Sequence, residues 1–256
     1  MLFGLVQRRF NFDVAFASEC GLVRKENQDH LVVDRDALVF CVADGMGGGE
    51  AGGQASDIVC RSVESSLRSD AGFADRVRIV DDAIRRADGE IRSIAEAAGY
   101  RQMGSTAAVL VSDGRRIAAV GNVGDSRVYR MRAGKLRQIT RDHTIAAELR
   151  SRRASADGKQ VSDLWGLAFS HVLTRAVGVG QERIKVDWRK IDIAGGDVLV
   201  VCSDGVHGAV SHDELSNAVS LGGTAKDILD RMFSIVLASG ARDNYTAIVV
   251  KIGGGA

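Results

Sequence analysis

The chain has 256 residues, of which 45% are hydrophobic and 26% charged, and its net charge is +1. This length suits one large domain with a substantial core. The nearly balanced charge excludes a strong general attraction to nucleic acid or to an anionic membrane. No apolar run approaches the roughly 20 residues that a membrane helix needs, so we expect no membrane insertion.

The cysteines indicate a reducing environment. Cys20, Cys41, Cys60 and Cys202 are widely spaced and form no CxxC pair. Cys41 and Cys202 lie inside apolar runs, which is typical of small core residues and not of zinc ligands or a disulfide framework. The apolar stretch over residues 2–6 is too short for a signal-peptide core. We therefore expect free thiols and a cytoplasmic location.

Many short segments have the β-branched composition of strands. They lie near residues 12–18, 30–34, 37–43, 105–112, 115–122, 126–131, 135–140, 184–192, 197–202 and 245–252. Asp113-Gly114 and Ala133-Gly134 each separate two neighbouring segments and are typical of hairpin turns. Closely spaced hairpins favour antiparallel sheets, because parallel strands need longer crossovers.

Apolar residues at helical spacing predict helices within 51–67, 80–98 and 224–238. Each helix has one apolar stripe, which predicts packing on a sheet. The stretch 144–172 begins with helical spacing and then becomes polar. Such a segment inside a compact domain is often a lid or flap, and a surface excursion without function is the alternative. The pattern as a whole predicts at least two antiparallel sheets with helices outside.

Five aspartates stand where the predicted strands begin or end. They are Asp29, Asp44, Asp125, Asp204 and Asp243. Two stacked sheets would bring these strand ends to one edge, and converging carboxylates repel one another unless cations lie among them. No His or Cys accompanies them in metal-ligand spacing. An oxygen-only set favours magnesium or manganese over zinc or copper.

The residues around these aspartates suggest phosphate chemistry. Glycine follows Asp44 and Asp204, so the backbone there can approach an ion closely or offer a carbonyl oxygen. Two ions that share a carboxylate can hold a bridging water, lower its pKa and direct it at phosphorus. A guanidinium would then bind the phosphate oxygens, and Arg24 is the candidate. A single Asp-Gly is usually only a turn, but an unbroken apolar strand leads into Asp44.

Eight short motifs occur in a fixed order along the chain. They are Gly21 to Asp29, Val42 to Gly48, Met103 to Ala107, Asn122 to Arg127, Thr140 to His143, Leu173 to Gly178, Ser203 to Gly205 and Arg242 to Thr246. With these motifs the chain resembles the metal-dependent type 2C serine/threonine protein phosphatases, the PPM family, in their compact bacterial form. The resemblance covers residues 12–252. It implies a single α+β domain over 1–256, a four-layer α-β-β-α sandwich of two central antiparallel sheets flanked by helices, with a flap at about 144–172.

The resemblance implies a metal centre that contains two Mn²⁺ or Mg²⁺ ions. Asp44 would bridge the two ions, and the carbonyl of Gly45 would bind one of them. Asp204 and Asp243 would complete the shell of the first ion. Asp125, together with Asp204, would match the third metal site of bacterial members.

The resemblance also implies the roles of the residues around the ions. Asp29 would hold metal-bound waters, and Arg24 would bind the substrate phosphate. Gln28 and Asn244 would support the ligands from behind, with Asn244 next to Asp243. Arg24, Asp44 and Asp204 would therefore be the catalytic residues.

The implied reaction is hydrolysis of phosphoserine and phosphothreonine in proteins by direct attack of a metal-bridging hydroxide, without a phosphoenzyme. The partners would be phosphorylated proteins, substrates of a Hanks-type serine/threonine kinase in signalling, and the enzyme would act as a monomer. Two alternatives stay open. One is a regulatory or binding module that keeps the fold without catalysis, and the other is a hydrolase of small phosphate esters.

The chain departs from the family pattern in two places. Met46 stands where a histidine often follows the Asp-Gly, and Gln28 stands where many members carry Glu. His143 has two interpretations, a general acid or a structural hydrogen bond that fixes the turn before the flap, and we favour the second. Ser105 and Thr106 lack a His-Asp partner set, so we expect them to support the site.

Overall fold

The structure, a computed structural model, describes residues 10–48, 50–155, 172–180 and 183–254. These ranges contain two antiparallel sheets. The strands are β1 (Phe12–Glu19), β2 (Asp29–Asp34), β3 (Val39–Met46), β4 (Gly104–Ser105), β5 (Ala107–Ser112), β6 (Ile117–Val123), β7 (Arg127–Arg132), β8 (Lys135–Gln138), β9 (Asp187–Asp192), β10 (Val198–Cys202) and β11 (Tyr245–Ile252). One sheet has the order β1-β11-β10-β7-β8, and the other has the order β2-β3-β5-β6-β9, with β4 paired to β3.

Helices cover the outer face of each sheet. Within the described ranges they are α1 (Glu50–Glu64), α2 (Phe73–Ala98), α3 (Ile145–Ser155), α4 (Asp204–His207), α5 (His212–Ser220) and α6 (Ala225–Ala238). The helices α1 and α2 share one buried cluster with the sheet that contains β3. The helices α5 and α6 share a second cluster with the sheet that contains β11. A third cluster lies between the two sheets. The predicted four-layer α+β sandwich is therefore confirmed.

The side chains of β3 show how the layers are built. Successive residues of a strand point to opposite faces. Val39, Cys41 and Ala43 accordingly pack against α1 and α2, whereas Phe40 and Val42 pack between the sheets. Because both faces of this strand are covered, its first five residues, Val39 to Ala43, are all apolar, and its first polar residue is Asp44.

Most of the predicted elements are present, with two differences. The segment predicted as one strand over 105–112 is divided at Thr106, whose backbone N–H donates to the carbonyl of Asp44 at 2.9 Å. The second difference is that the short helices α4 and α5 were not predicted. The start of α5 depends on a capping box in which Ser211 and Glu214 satisfy each other's backbone groups.

The remaining predictions about the chain have mixed outcomes. All four cysteines are free thiols, and Cys41, Cys60 and Cys202 are buried, as expected. Residues 156–171 of the predicted flap lie outside the described residues. The two ends of the flap are joined, since the backbone N–H of Thr174 donates to the carbonyl of His143 at 2.8 Å. Among the described helices, none has the length and apolar character needed to cross a bilayer.

The packing between the two sheets predicts that Leu110→Ala strongly lowers the stability of the fold. Leu110 is fully buried there, and its truncation leaves a cavity that two rigid sheets cannot close. We expect the free energy of unfolding to fall by about 2–5 kcal/mol, measured by urea denaturation. Leu221→Ala is the control, because Leu221 is 74% exposed and should change stability by less than about 0.5 kcal/mol. Equal losses in the two variants would contradict this account of the core.

Candidate metal centre

The five aspartates identified in the sequence lie at the ends of strands. Asp29 begins β2 and stands directly opposite Asp44 of β3 in the antiparallel register. Asp125 comes two residues after β6, Asp204 begins α4 just after β10, and Asp243 comes two residues before β11. Like charges directly opposite on paired strands destabilise a sheet. Asp29 and Asp44 therefore form an unfavourable pair that a purely structural strand would not need.

Asp29 is buried, and burial is the main reason that its pKa is raised to about 7. The negative charges of Asp204 and Asp243 raise this pKa further. Hydrogen bonds act in the opposite direction, since the hydroxyl of Ser203 donates to Asp29 Oδ2 at 2.7 Å. Ser203 in turn accepts the backbone N–H of Thr246 at 3.0 Å. The carboxyl of Asp29 is thus fixed by the ends of β10 and β11.

Asp44 is closely coupled to its neighbours. Asp44 as a whole residue is partly exposed to solvent. Its carboxyl group, however, is surrounded by protein, and this burial raises the pKa of the carboxyl well above the usual range. The charges of Asp29 and Asp204, a hydrogen bond with the carboxyl of Asp204 and the charge of Asp125 raise it further. The carboxyls of Asp44 and Asp204 therefore lie close enough to repel each other, and a proton or a cation between them would relieve this repulsion.

The backbone of Asp44 is held by a small hydroxyl network. Its N–H donates to Thr106 Oγ1 at 3.0 Å, and the hydroxyls of Thr106 and Ser126 lie 2.6 Å apart. Because Thr106 also donates its own N–H to the carbonyl of Asp44, the two residues lock each other in place. The expected supporting role of Thr106 is confirmed.

Asp125 belongs to the same cluster. Burial raises its pKa to about 7, and the charges of Asp204 and Asp142 add to this effect. Its backbone carbonyl accepts a hydrogen bond from His207 Nε2 at 3.0 Å. His207, on α4, was not singled out in the sequence, and its only signal was its position one turn after Asp204.

His143 has the structural role that we favoured. Its Nδ1 accepts the backbone N–H of Gly124 at 3.1 Å, so its proton lies on Nε2, 3.0 Å from Asp187 Oδ2. Burial lowers the pKa of the imidazole, which keeps the ring neutral at pH 7. Both ring nitrogens are therefore engaged in holding the turn that precedes Asp125.

Arg24 lies at the mouth of the cluster. Its guanidinium donates to Asp243 Oδ2 at 2.8 Å, and this hydrogen bond raises the pKa of the guanidinium, as do the charges of Asp243, Asp204 and Asp44, while burial opposes the rise. The Arg24 side chain is 54% exposed, so it can reach a ligand from solvent. The sequence predicted a phosphate-binding Arg24 and a metal-binding Asp243, but it did not predict that they pair with each other.

Asn244 holds the loop that carries Arg24. Its Oδ1 accepts the backbone N–H of Gln28 at 2.9 Å, and its Nδ2 donates to the carbonyls of Cys20 and Glu26, both at 2.8 Å. Asn244 also lies next to Asp243, to which it donates its own N–H at 2.8 Å. One buried amide therefore fixes Asp243 and the loop over residues 20–28 relative to each other.

The glycines after Asp44 and Asp204 have a structural reason. A Cβ atom at Gly45 would collide with the carbonyl of Gly52, and one at Gly205 would collide with the carbonyl of Asn244. Close contact of one chain segment with another therefore requires glycine at both positions. The sequence analysis explained these glycines by close approach of the backbone to an ion. The structure explains them by close packing against a carbonyl of another chain segment.

The donor set fits hard divalent cations, although the ligands are not yet in place. Across residues 10–48, 50–155, 172–180 and 183–254, no three Asp, Glu, His or Cys side chains form a ready-made metal site. The clustered groups are carboxylates whose pKa values are raised by burial and by one another. Ions would relieve this repulsion. Oxygen donors alone favour magnesium or manganese.

Two clefts open on either side of Arg24. The larger has a volume of about 570 Å³, and it is lined by Asp204, Asp243 and Arg242 in addition to Arg24. The smaller has a volume of about 270 Å³. The carboxylate cluster is therefore accessible to a ligand that approaches past Arg24.

Known proteins are similar to this chain in sequence and in fold. The family model described as Protein phosphatase 2C matches residues 15–244. The serine/threonine phosphatase stp of Listeria innocua is 28% identical over 92% of this chain and 94% of its own length. Two solved structures match at similar identity. PppA, described as a key regulatory component of T6SS in Pseudomonas aeruginosa, is 30% identical, with a TM-score of 0.82 over 94% of this chain and 97% of its own. The catalytic domain of the serine/threonine protein phosphatase PstP, in complex with two manganese ions, is 28% identical, with a TM-score of 0.80 over 95% and 100%.

The crowded carboxylates predict that Asp44→Asn stabilises the metal-free protein. A carboxyl whose pKa is higher in the folded state costs stability above that pKa, and the cost disappears as the pH falls toward the unfolded value. At pH 8 with a chelator, the substitution removes one of the opposed charges and should raise the melting temperature by about 3 °C or more. The gain should shrink at pH 5.

The control for this measurement is Asp230→Asn. Asp230 is exposed on α6 and forms an ion pair with Lys226, so its loss should have little effect on stability. An Asp44→Asn protein that melts at or below the wild-type temperature at pH 8 would show that the carboxylates do not repel one another.

Proposed function

This chain belongs to the protein phosphatase 2C family, and we propose that its clustered aspartates are the ligands of its catalytic metal ions. It is a metal-dependent serine/threonine protein phosphatase, like the bacterial relatives that it matches along almost its whole length. Hydrolysis is thus favoured over a silent regulatory module. The names of the relatives also favour phosphoproteins over small phosphate esters as substrates.

Asp44 is the central residue of the proposed set of metal ligands. It lies opposite Asp29 and close to Asp204, so it would be the carboxylate that the ions share, and the carbonyl of Gly45 would be a further ligand. Asp243 would complete the set. The two manganese ions named for the PstP catalytic domain support a pair of Mn²⁺ or Mg²⁺ ions here. When bound, such ions supply Lewis acidity, which lowers the pKa of water and neutralises phosphate oxygens.

A third ion would use Asp125. Its pKa responds most strongly, after burial, to the charge of Asp204, so these two carboxylates are close enough to affect each other. Asp29 stays behind the pair, held by Ser203, where it accepts hydrogen bonds from waters. Gln28 and Asn244 support this arrangement through the bond that joins them.

Arg24 would exchange one carboxylate for the substrate phosphate. It is paired with Asp243, and a cation held by Asp243 would compete for the same oxygens. The guanidinium then binds two oxygens of the phosphate in the planar geometry that arginine prefers. It thereby orients the phosphorus over the carboxylate cluster and stabilises the charge that develops in the transition state.

The observation that carries this proposal is the meeting of acidic residues from both sheets: Asp29 stands directly opposite Asp44, and Ser203, the residue before Asp204, is hydrogen-bonded to Asp29. Buried like charges in such contact are costly unless protons or cations lie among them. Arg24 stands at the mouth of the same cluster. A cation site beside an accessible guanidinium is the arrangement that phosphate hydrolysis requires.

The biological setting is part of the proposal. We expect the substrates to be phosphorylated proteins made by a Hanks-type serine/threonine kinase. One family model spans residues 15–244, which supports a single domain, and all the proposed site residues lie on one chain, which supports a monomer. The free thiols support a cytoplasmic location.

Asp204→Asn should abolish manganese-dependent hydrolysis of a phosphothreonine peptide. Removing even a group behind a metal ligand typically costs 10–100-fold, so loss of a ligand should lower kcat/KM by about 100-fold or more. Calorimetric titration with manganese should show weaker binding as well. Asp230→Asn should keep both properties. Normal activity and manganese binding in Asp204→Asn would refute the assignment of this residue.

Arg24→Ala tests the phosphate contact. We expect kcat/KM for the same peptide to fall by about 100-fold, because one charged donor to the transition state is lost. Arg24→Lys should recover only part of the activity, since lysine lacks the planar fork. Manganese affinity should not fall in either variant. If Arg24→Ala keeps its kcat/KM, the phosphate is held elsewhere.

A further inference from the structure

Arg242 is an exposed cation in the larger cleft beside Arg24. It lines this cleft together with Arg24, Asp204 and Asp243. Arg24 is already paired with Asp243 at 2.8 Å. No hydrogen bond or ion pair of Arg242 is seen within the residues that the structure describes. Its guanidinium therefore remains available to a ligand.

The backbone that carries Arg242 is held firmly. The preceding residue, Ala241, is buried and donates its N–H to the carbonyl of Val236 at 3.1 Å, and its own carbonyl accepts the N–H of Leu22 at 2.8 Å. Ala241 also has a φ of 37°, in the left-handed region that an alanine rarely adopts. Such strain persists only where the surroundings impose it, and it is frequent at binding sites. The base of the Arg242 side chain is thus fixed on the wall of the cleft.

Arg24 lines both clefts, which differ in charge. The smaller cleft is also lined by one lysine and one acid, Lys25 and Glu26, which offset each other. In the larger cleft, Asp204 and Asp243 are committed to cations under the proposed function. Arg242 is then the charge that is left to meet a substrate. A phosphate held at Arg24 would lie between these two different surroundings.

We propose that Arg242 forms a subsite for an acidic side chain on one side of the phosphorylated residue of the substrate. The inference rests on the proposed function, because it takes the phosphate to lie at Arg24. A carboxylate that reaches Arg242 gains a charge-assisted hydrogen bond of the kind for which arginine is suited. The substrate class is therefore phosphoserine or phosphothreonine segments with a neighbouring Glu or Asp.

The test compares three phosphothreonine peptides that differ only in their flanks. One has three Glu residues before the phosphothreonine, one has three Glu residues after it, and one has Gln at all six positions. The measured quantity is the ratio of kcat/KM for each Glu peptide to that for the Gln peptide, with manganese. We expect Arg242→Gln to lower this ratio by about threefold, the size of a partly exposed ion pair, for one Glu peptide only.

Two further variants sharpen the result. Arg242→Glu should reverse the preference, so that a peptide with Lys on the same side becomes the better substrate. Arg78→Gln is the matched control, because Arg78 is an exposed arginine on α2 outside the cleft, and its ratios should equal those of the wild type. Binding affinities measured by calorimetry for a non-hydrolysable phosphonate version of each peptide should show the same pattern. This result would show that the preference for the Glu peptide arises in substrate binding and not in the chemical step.

The outcomes separate the two proposals. If the wild-type enzyme hydrolyses none of the peptides, the proposed function fails. If it hydrolyses them and the ratios stay the same in Arg242→Gln and Arg242→Glu, the subsite is refuted while the proposed function stands. An equal change for both Glu peptides would reveal only a general charge effect, and it would also refute the subsite.

Discussion

The structure depends on one unfavourable interaction, the crowding of buried carboxylates at the edge of the sandwich. Asp29 and Asp44 face each other across paired strands, and burial raises the pKa of both. Nothing in the fold itself needs this pair, so the three hydrophobic layers must supply enough stability to hold it. A cluster in this condition takes up either protons or cations. The crowding of the carboxylates is therefore imposed by the apolar core as much as by the acidic residues themselves.

The two sheets meet at this site, and neither could form it alone. Asp44 comes from the sheet that contains β3, while Asp204 follows β10 of the other sheet. The bond from Ser203 to Asp29 crosses between them. The stacking of the sheets therefore sets the distances among the carboxylates. Small changes in the layer between the sheets would therefore alter the spacing of the carboxylates.

The sequence predicted the sandwich and the positions of the five aspartates, because both follow from local patterns. Strand alternation and turn residues are visible over a few residues, and so is an Asp-Gly at the end of an apolar strand. The pairing of Arg24 with Asp243 could not be predicted, because it joins two exposed side chains 219 residues apart. The same is true of Gly45 and Gly205, whose neighbours are distant carbonyls. His207 also lacked a strong local signal, whereas α5 had one in its capping box, Ser211 and Glu214, that was overlooked.

The position of β11 has a consequence for how the nascent chain acquires activity. This strand lies between β1 and β10, and it pairs with β1 along eight residues, from Phe12 opposite Ile252 to Glu19 opposite Tyr245. Asn244, just before it, holds Cys20 from 224 residues away. During synthesis on the ribosome, β1 and the loop with Arg24 must wait for almost all the intervening residues before they find their partners. The contacts that hold the loop with Arg24 are thus among the last that a growing chain can form.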